Sequence, residues 1–208
     1  MLIKYQKHNI LLDGDFIKIP KPITIRINEI DEETTKKFFE DFQKALDTGQ
    51  NIIPIIIDSY GGDIYSIFAM ADCIKSSSIP VMTICNGKSI SAGAVMLTCG
   101  HEGLRYISPL SAIMLHDASA FFEGKVEDMK VSIREMNRVN SQLYKILDDN
   151  CGQKSGFFKD KIKKLKNVDY WISAEKALEY NIVNHVGIPD LTYEVNYGFN
   201  LRNEKEII

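Results

Sequence analysis

The chain has 208 residues, of which 45% are hydrophobic and 25% are charged, and its formal net charge is -3. This length and composition predict a single sizeable α/β core and give no electrostatic reason to expect nucleic-acid binding. No segment approaches the roughly 18 uninterrupted apolar residues that suit a membrane span, so we expect no membrane association.

The N-terminal stretch and the cysteines favour a reducing interior. The apolar runs of MLIKYQKHNILLDGD are broken by Lys7, His8 and Asp13, which makes a poor signal peptide. Four cysteines occur without C-x-x-C spacing: Cys73, Cys85, Cys99 and Cys151. We expect small buried hydrophobes rather than metal ligands or disulfides. A reducing interior predicts a cytoplasmic location. The composition, rich in isoleucine, lysine and asparagine, suggests the AT-rich genome of a plastid, phage or bacterium, so the plastid stroma and the infected host cytoplasm are the other expected locations.

Strand and helix patterns alternate along the first part of the chain. They predict a hairpin over 9–22 around Asp13-Gly14, a strand over 23–27, a helix capped by Asp31 and running to about Leu46, and a strand over 52–57. The continuous apolarity of this last strand is typical of a parallel strand covered on both faces.

The alternation continues to the C-terminal tail. We predict helices over 64–74, 91–99, 126–147 and 173–180, and strands over 79–84, 112–115 and 182–186. This order indicates an α/β fold with a largely parallel sheet. The predicted organisation is an N-terminal arm over 1–22, a main domain over 23–187 and a tail over 188–208.

The stretch 86–93, NGKSISAG, admits three interpretations. Gly87-Lys88-Ser89 matches the end of a phosphate-binding loop, but Met82 stands where its first glycine is needed. Small residues also suit a closely packed strand-to-helix turn without any chemistry. The third interpretation is a nucleophilic serine on such a turn, where free backbone amides favour developing negative charge.

A second glycine turn, Tyr60-Gly61-Gly62, follows the preceding parallel strand. Neighbouring parallel strands place their carboxyl ends side by side, so this turn should lie near the serine. The N–H groups of Gly62 and of the residue after the nucleophile are therefore candidates for an oxyanion hole.

A serine nucleophile also needs a base and an orienting acid. Of the four histidines, His116 ends an apolar strand at the same sheet edge, whereas His185 is better explained as a structural imidazole. Asp169 precedes a hydrophobic pair and a capped helix, where an acid can be buried and orient a histidine. The alternative for Asp169 is a plain turn residue.

These pieces together resemble the Clp protease proteolytic subunit (ClpP) family. Its motifs S-P-G-G, G-x-A-x-S-M-[AG], I-M-I-H and D-R-[FY]-[LM]-[ST]-A are similar to Ser59-Tyr60-Gly61-Gly62, Gly87-Lys88-Ser89-Ile90-Ser91-Ala92-Gly93, Ile113-Met114-Leu115-His116 and Asp169-Tyr170-Trp171-Ile172-Ser173-Ala174. The resemblance extends from about 23 to 187.

The resemblance assigns Ser91 as nucleophile, His116 as general base, Asp169 as orienting acid, and Gly62 and Ala92 as oxyanion-hole donors. It implies a crotonase-like fold of repeated β-β-α units and a homo-oligomer of two stacked seven-membered rings. It also implies hydrolysis of peptides and proteins through an acyl-enzyme. An AAA+ unfoldase would be the partner that uses ATP, and this chain would need no cofactor.

The chain departs from the family pattern around the site. Tyr60 replaces a proline and Ala92 a methionine, changes that keep the backbone N–H groups but alter the fit of a peptide. Asp117-Ala118 replaces Gln-Pro after His116 and should loosen that loop. Lys88, unusual so near the serine, is expected to point to solvent rather than to form a serine–lysine dyad.

The expected unfoldase-docking surface also departs from the family, and other functions stay open. Hydrophobic family positions align here with Pro54, Ile56, Ser76, Ile84, Asn86, Tyr106 and Ser108. The alternatives to an active Clp-type peptidase are a catalytically silent ring or scaffold subunit, a phage-type head-maturation peptidase acting without an unfoldase, and an acyl-CoA enzyme of the crotonase type.

Overall fold

A computed structural model describes residues 21–165 and 169–192, together with the backbone of two short strands nearer the N-terminus. The chain divides into a main unit, Pro20–Pro189, and a unit of the two terminal segments, Met1–Ile19 and Asp190–Ile208. In the terminal unit, β1 (Leu11–Leu12) pairs antiparallel with β2 (Asp15–Phe16), as the predicted hairpin requires. Most of the remaining hairpin and tail predictions lie outside the described residues.

The main unit is an α/β fold with a seven-stranded sheet. Its strands are β3 (Ile25–Ile27), β4 (Ile53–Ser59), β5 (Val81–Ile90), β6 (Arg105–Ile107), β7 (Ala112–Leu115), β8 (Tyr170–Ile172) and β9 (His185–Val186). Its helices are α1 (Glu32–Asp47), α2 (Ile64–Lys75), α3 (Ala92–Thr98), α4 (Val126–Asn150), α5 (Phe157–Lys164) and α6 (Ala174–Glu179).

The sheet order is β3-β4-β5-β6-β9, with β7 also paired to β5 and β8 paired to β7. Every pairing in this sheet is parallel except that of β7 with β8. The predicted α/β class with a largely parallel sheet is therefore confirmed. Within the described ranges, no helix combines the length and apolarity needed to cross a membrane.

The core forms where apolar strands meet the apolar faces of helices. Ile55 and Ile57 of β4 are fully buried, as are Phe38 of α1 and Met70 of α2. Burying side chains of this size is the main favourable term in folding, at about 1.5–3 kcal/mol each. The run of isoleucines in β4 is thus explained by burial on both faces.

Predicted caps fix the start of two helices. The Asp31 carboxylate accepts the Thr34 N–H at 2.7 Å, and the Thr34 hydroxyl oxygen accepts the Asp31 N–H in return, which completes a capping box. Ser173 likewise accepts the Lys176 N–H at the start of α6. Both helices begin one residue after these caps, as the sequence predicts.

The strand predicted over 79–84 is wrong in length, since β5 continues to Ile90. Ile57 of β4 pairs with Cys85, but Ser59 pairs with Ser89, so β5 advances by four residues over a stretch in which β4 advances by two. The extra residues form a bulge around Gly87, whose φ is 122°. Gly87-Lys88-Ser89 is therefore part of a bulged strand, and only Ser91 forms the turn into α3.

Three further elements were not predicted. The strands β6 and β8 have only three residues each, and α5 is a lysine-rich helix that buries only Phe158 and Ile162. Such short elements show too little periodicity to be recognised in isolation. The antiparallel strand β8 nevertheless decides where Asp169 lies.

Candidate active site

Three strand ends meet around one cavity of about 260 Å³. Tyr60 and Gly62 follow β4, Ser91 follows β5, and His116 follows β7. This convergence is the expected consequence of parallel pairing between β4, β5 and β7. The cavity therefore joins the serine, the histidine and the glycine turn.

Ser91 forms a sharp turn with φ 56° and ψ -122°, a conformation that side-chain-bearing residues rarely adopt. Its N–H donates to the Met114 carbonyl at 2.8 Å, and its carbonyl accepts the Ala94 N–H at 2.9 Å. The turn is thus tied to β7 on one side and to α3 on the other. Strain held in place by surrounding structure is typical of functional turns.

The Gly61-Gly62 turn lies directly against this serine. A Cβ on Gly61 would come within 2.9 Å of the Ser91 Cβ and 3.0 Å of the Ala92 nitrogen. Gly62 has φ 148°, and a Cβ there would overlap the carbonyl of Ile30. Only glycine therefore permits this close approach.

Two backbone donors remain available beside Ser91. Ala92 is the first residue of α3, so its N–H has no intrahelical acceptor. Neither this N–H nor that of Gly62 donates to any group in the described part of the chain. The Gly62 turn is itself held by the hydrogen bonds of Ile30 N–H to Gly61 and of Asp63 N–H to Ile30.

The antiparallel pairing of β7 and β8 brings Asp169 to His116. Leu115 lies opposite Tyr170, so the next residues in register are His116 and Asp169. The His116 Nδ1 and Asp169 Oδ1 atoms are 3.8 Å apart, which is too long for a hydrogen bond. The Asp169 side chain is 56% exposed, so the expectation of a buried acid is wrong for the single chain.

The structure thus brings Ser91, His116, Gly62 and Ala92 to the cavity, while Asp169 lies behind His116 and is not part of the lining. Among the described residues, no hydrogen bond joins Ser91 to His116. Catalytic hydrogen bonds are often long before a substrate binds and tighten in the substrate complex. The assignment of these five residues stays a prediction.

The loop after His116 is anchored to α4, contrary to the expected loosening. The Tyr144 hydroxyl donates to the Asp117 carboxylate at 2.6 Å, and the Asn140 amide donates to the same oxygen at 3.2 Å. Asn140 also accepts the Ala118 N–H at 2.9 Å. Burial, together with this bond to Asp117, raises the pKa of Tyr144 and keeps its hydroxyl protonated.

The sequence did not single out Asn140 and Tyr144, although both line the cavity. Their signal is positional, since Tyr144 belongs to the buried stripe of α4 with Val139 and Leu147, and Asn140 is half-buried next to Val139. Apart from its polar groups, the cavity is lined by aliphatic side chains: Ile64, Ile90, Val95, Leu115, Leu143 and Leu147. It is therefore suited to an apolar side chain beside a polar reacting group.

Lys88 is engaged rather than directed freely into solvent, so that expectation is wrong. Its Nζ lies 2.6 Å from Asp58 Oδ1 and 4.4 Å from the centre of the Tyr60 ring. The hydrogen bond with Asp58 raises the pKa of Lys88, which keeps it charged at neutral pH. A charged lysine cannot be the base of a serine–lysine dyad.

His185 and the four cysteine side chains have structural environments. The His185 ring stacks on Tyr106 at 4.6 Å between centroids and contacts the Gly103 carbonyl, as a structural imidazole should. All four cysteines are free, and burial raises the pKa of the Cys151 thiol to about 12. In the described ranges, no three His, Cys, Asp or Glu side chains are grouped as potential metal ligands.

Comparison with known proteins identifies the family. The Clp protease family model matches residues 19–189. The ATP-dependent Clp protease proteolytic subunit of Porphyromonas gingivalis is 31% identical over 142 residues, which cover 68% of this chain and 62% of that protein. The protein of the same name from Bacteroides fragilis strain ATCC 25285 is 32% identical over 142 residues, 68% of this chain and 66% of its own length.

A third relative, ATP-dependent Clp protease proteolytic subunit 1 of Salinibacter ruber, is 34% identical over 134 residues, 64% of this chain and 56% of its own. The chain thus matches somewhat less than two thirds of the length of these curated relatives. The family model covers most of this chain, and the α/β fold with its mostly parallel sheet is consistent with it. The chain therefore belongs to the Clp protease family.

Proposed function

We propose that the chain is a Clp-type serine endopeptidase subunit with Ser91 as its nucleophile. The observation that carries this proposal is the strained Ser91 turn, which lies between two available N–H donors and shares a cavity with His116. This arrangement contains the nucleophile, base and oxyanion donors that acyl transfer requires.

In the proposed reaction, Ser91 Oγ attacks the carbonyl carbon of a peptide bond while His116 accepts the hydroxyl proton. The N–H groups of Gly62 and Ala92 donate hydrogen bonds to the resulting oxyanion. Collapse of the tetrahedral intermediate breaks the C–N bond, and His116 returns the proton to the leaving amine. Water, activated by His116, then hydrolyses the acyl-enzyme and restores Ser91.

Asp169 is proposed to orient His116 and to stabilise its protonated form. The 3.8 Å separation needs to shorten by roughly 1 Å for a direct hydrogen bond. At the observed separation, Asp169 would act on His116 through charge–charge attraction rather than through a direct hydrogen bond. The proposed reaction needs no cofactor bound to this chain.

The relatives are named as proteolytic subunits of an ATP-dependent protease, which supports a subunit role for this chain. We propose a cytoplasmic homo-oligomer of two stacked seven-membered rings that degrades proteins and peptides, with an AAA+ partner that consumes ATP. The main domain would be 23–187, with the arm 1–22 and the tail 188–208. Exposed apolar residues of α4, Val126, Val131 and Ile133, are candidates for contacts between rings.

The unfoldase contact would differ from that of the family. Of the aligned positions that kept an apolar residue, Ile56 and Ile84 are only 4% and 1% exposed. Tyr106 is half-buried and stacks on His185. These side chains offer little apolar surface to a partner, so a cognate unfoldase would use other residues.

The 3.8 Å separation between His116 and Asp169 favours one second candidate function, a catalytically silent ring or scaffold subunit. Hydrolysis of a fluorogenic peptide by the purified protein, in the presence of a metal chelator, separates the two functions. We expect hydrolysis that is lost in Ser91→Ala and retained in Ser89→Ala, the matched control two residues away. An assembled particle without any peptidase activity would instead establish the scaffold role.

A further inference from the structure

Three side chains outside the proposed triad form a stack, and one of them, Tyr60, lines the cavity. The Asp58 carboxylate accepts a hydrogen bond from Lys88 Nζ at 2.6 Å. The same ammonium group lies 4.4 Å from the centre of the Tyr60 ring, within the range of a cation–π contact. The hydrogen bond to Asp58 therefore fixes the Lys88 ammonium group, and the cation–π contact with this group positions the ring of Tyr60.

The bulge in β5 builds this stack. It shifts the register of β5 against β4 between Cys85 and Ser89, and Lys88 lies within that stretch. A Cβ on Gly87 would come within 2.6 Å of Asp58 Oδ1, so the glycine lets the bulge pack against that carboxylate. The Gly87 N–H donates to the Ser111 hydroxyl at 2.8 Å, which fixes the bulge from the β7 side. Bulges beside functional sites commonly redirect a side chain in this way.

Tyr60 is placed to meet a bound substrate. It immediately precedes the Gly61-Gly62 turn, and it lines the same cavity as Ser91. Tyr60 is 74% exposed, so its ring is accessible to a ligand that enters the cavity. Its attachment to Lys88 limits the rotation of the ring, so less entropy is lost when a ligand packs on it.

The charges in the stack indicate which ligand it suits. Lys88 and Asp58 neutralise each other, so the stack presents no net charge to a peptide. The adjoining cavity wall is aliphatic at Ile64, Ile90 and Leu143. An aromatic or large aliphatic side chain is therefore the complementary group, because it gains contact with the ring and loses no charge–charge attraction.

We propose that Tyr60 is a specificity-determining residue that selects peptides with an aromatic or large aliphatic side chain next to the scissile bond. Lys88 and Asp58 act as positioning residues that hold its ring at the rim of the cavity. This inference rests on the proposed peptidase function for its connection to catalysis, but the selection itself is a property of peptide binding.

The test compares matched peptides that carry Phe or Ala at each of the two residues flanking the scissile bond. In Tyr60→Ala, the Phe-to-Ala ratio of kcat/KM should fall by about 2- to 12-fold at one of these positions. Tyr60→Phe keeps the ring and should keep the ratio. Tyr65→Ala is the matched control, because Tyr65 is also exposed but does not line the cavity.

Lys88 has its own readout. Lys88→Met removes the cation and should lower the Phe-to-Ala ratio by about 2- to 5-fold, whereas Lys88→Arg should restore it. The rate at which a small fluorophosphonate labels Ser91 should stay unchanged in Lys88→Met, because that reagent has no peptide side chain to contact Tyr60. A merely structural role of Lys88 would lower the labelling rate and all peptide rates together.

Peptide binding to the Ser91→Ala protein separates this inference from the proposed function. Fluorescence anisotropy with the same labelled peptides should show tighter binding of the Phe peptide, and Tyr60→Ala in this background should remove the difference. That result without any hydrolysis by the wild-type protein would reject the peptidase function and still support the selection by Tyr60. Equal binding of Phe and Ala peptides, or a preference that survives Tyr60→Ala, would overturn the inference.

Discussion

Replacement of Asp169 by asparagine tests the role of the exposed acid. Asparagine has nearly the same shape, so the change removes the carboxylate charge facing His116 with little effect on packing. The side chain is 56% exposed, and a substitution there should leave the fold intact. Any loss of activity therefore reports on the interaction with His116.

The expected loss follows from the separation of the two groups. Opposite unit charges 3.8 Å apart attract by about 1 kcal/mol in bulk water and by about 4 kcal/mol at the effective dielectric constant near a protein surface. More than half of the carboxylate side chain is exposed, so solvent screening favours the lower half of that range. We expect kcat/KM to fall by about 5- to 70-fold, compared with about 10,000-fold for the buried acid of a closed triad.

The assay is hydrolysis of a short fluorogenic peptide at two ionic strengths. Added salt should reduce the activity of the wild-type protein more than that of Asp169→Asn, because it screens an exposed ion pair. Asp47→Asn, which removes an exposed carboxylate at the end of α1, is the control for a general charge effect. Unchanged activity in Asp169→Asn, or a loss near 10,000-fold, would contradict an interaction in which Asp169 acts on His116 as an exposed charge without a direct hydrogen bond.

Three other variants test the turn, the buried serine and the anchored loop. Gly62→Ala should lower kcat/KM by at least about 100-fold, because its Cβ would overlap the Ile30 carbonyl and displace an oxyanion donor. Ser89→Ala should retain activity and stabilise the fold by up to about 1 kcal/mol in denaturant unfolding, because within the described structure its buried hydroxyl has no hydrogen-bond partner. Tyr144→Phe should destabilise the fold by about 1–3 kcal/mol in the same assay, because it removes the bond to Asp117.

Each of these predictions has a contradicting result. Gly103→Ala is the control for Gly62, because Gly103 has φ 81° but open space around it; equal losses in both variants would remove the oxyanion argument. A large loss of stability in Ser89→Ala would mean that its hydroxyl makes a contact needed by the fold. Unchanged stability in Tyr144→Phe would show that Asn140 alone anchors the loop.

The sequence predicts much of the site because parallel pairing leaves few places for the functional residues. Ser91 and His116 each follow an apolar strand, and the Gly61-Gly62 turn follows a third. Once those strands are parallel neighbours, their carboxyl ends have to meet at one edge. Local pattern and family motif therefore agree, and the family comparison confirms the family and the fold class.

The parts that the sequence did not predict depend on contacts between distant segments. The role of Lys88 follows from a register shift between β4 and β5, which no local pattern specifies. The position of Asp169 depends on the three-residue antiparallel strand β8. The exposure of its side chain depends on which segments of the folded chain pack around it. The sequence predicts a loosened loop at Asp117 because the partners of this residue, Asn140 and Tyr144 on α4, are more than twenty residues away along the chain.

The claim that Ser91 is an activated nucleophile is tested most directly by fluorophosphonate labelling followed by peptide mass spectrometry. We expect a single adduct on Ser91 in the assembled protein, retained in Ser89→Ala and abolished in Ser91→Ala. His116→Ala should also abolish it, since the hydroxyl then lacks its base. An adduct on Ser89, labelling that persists without His116, or no labelling of the assembled protein would contradict the claim.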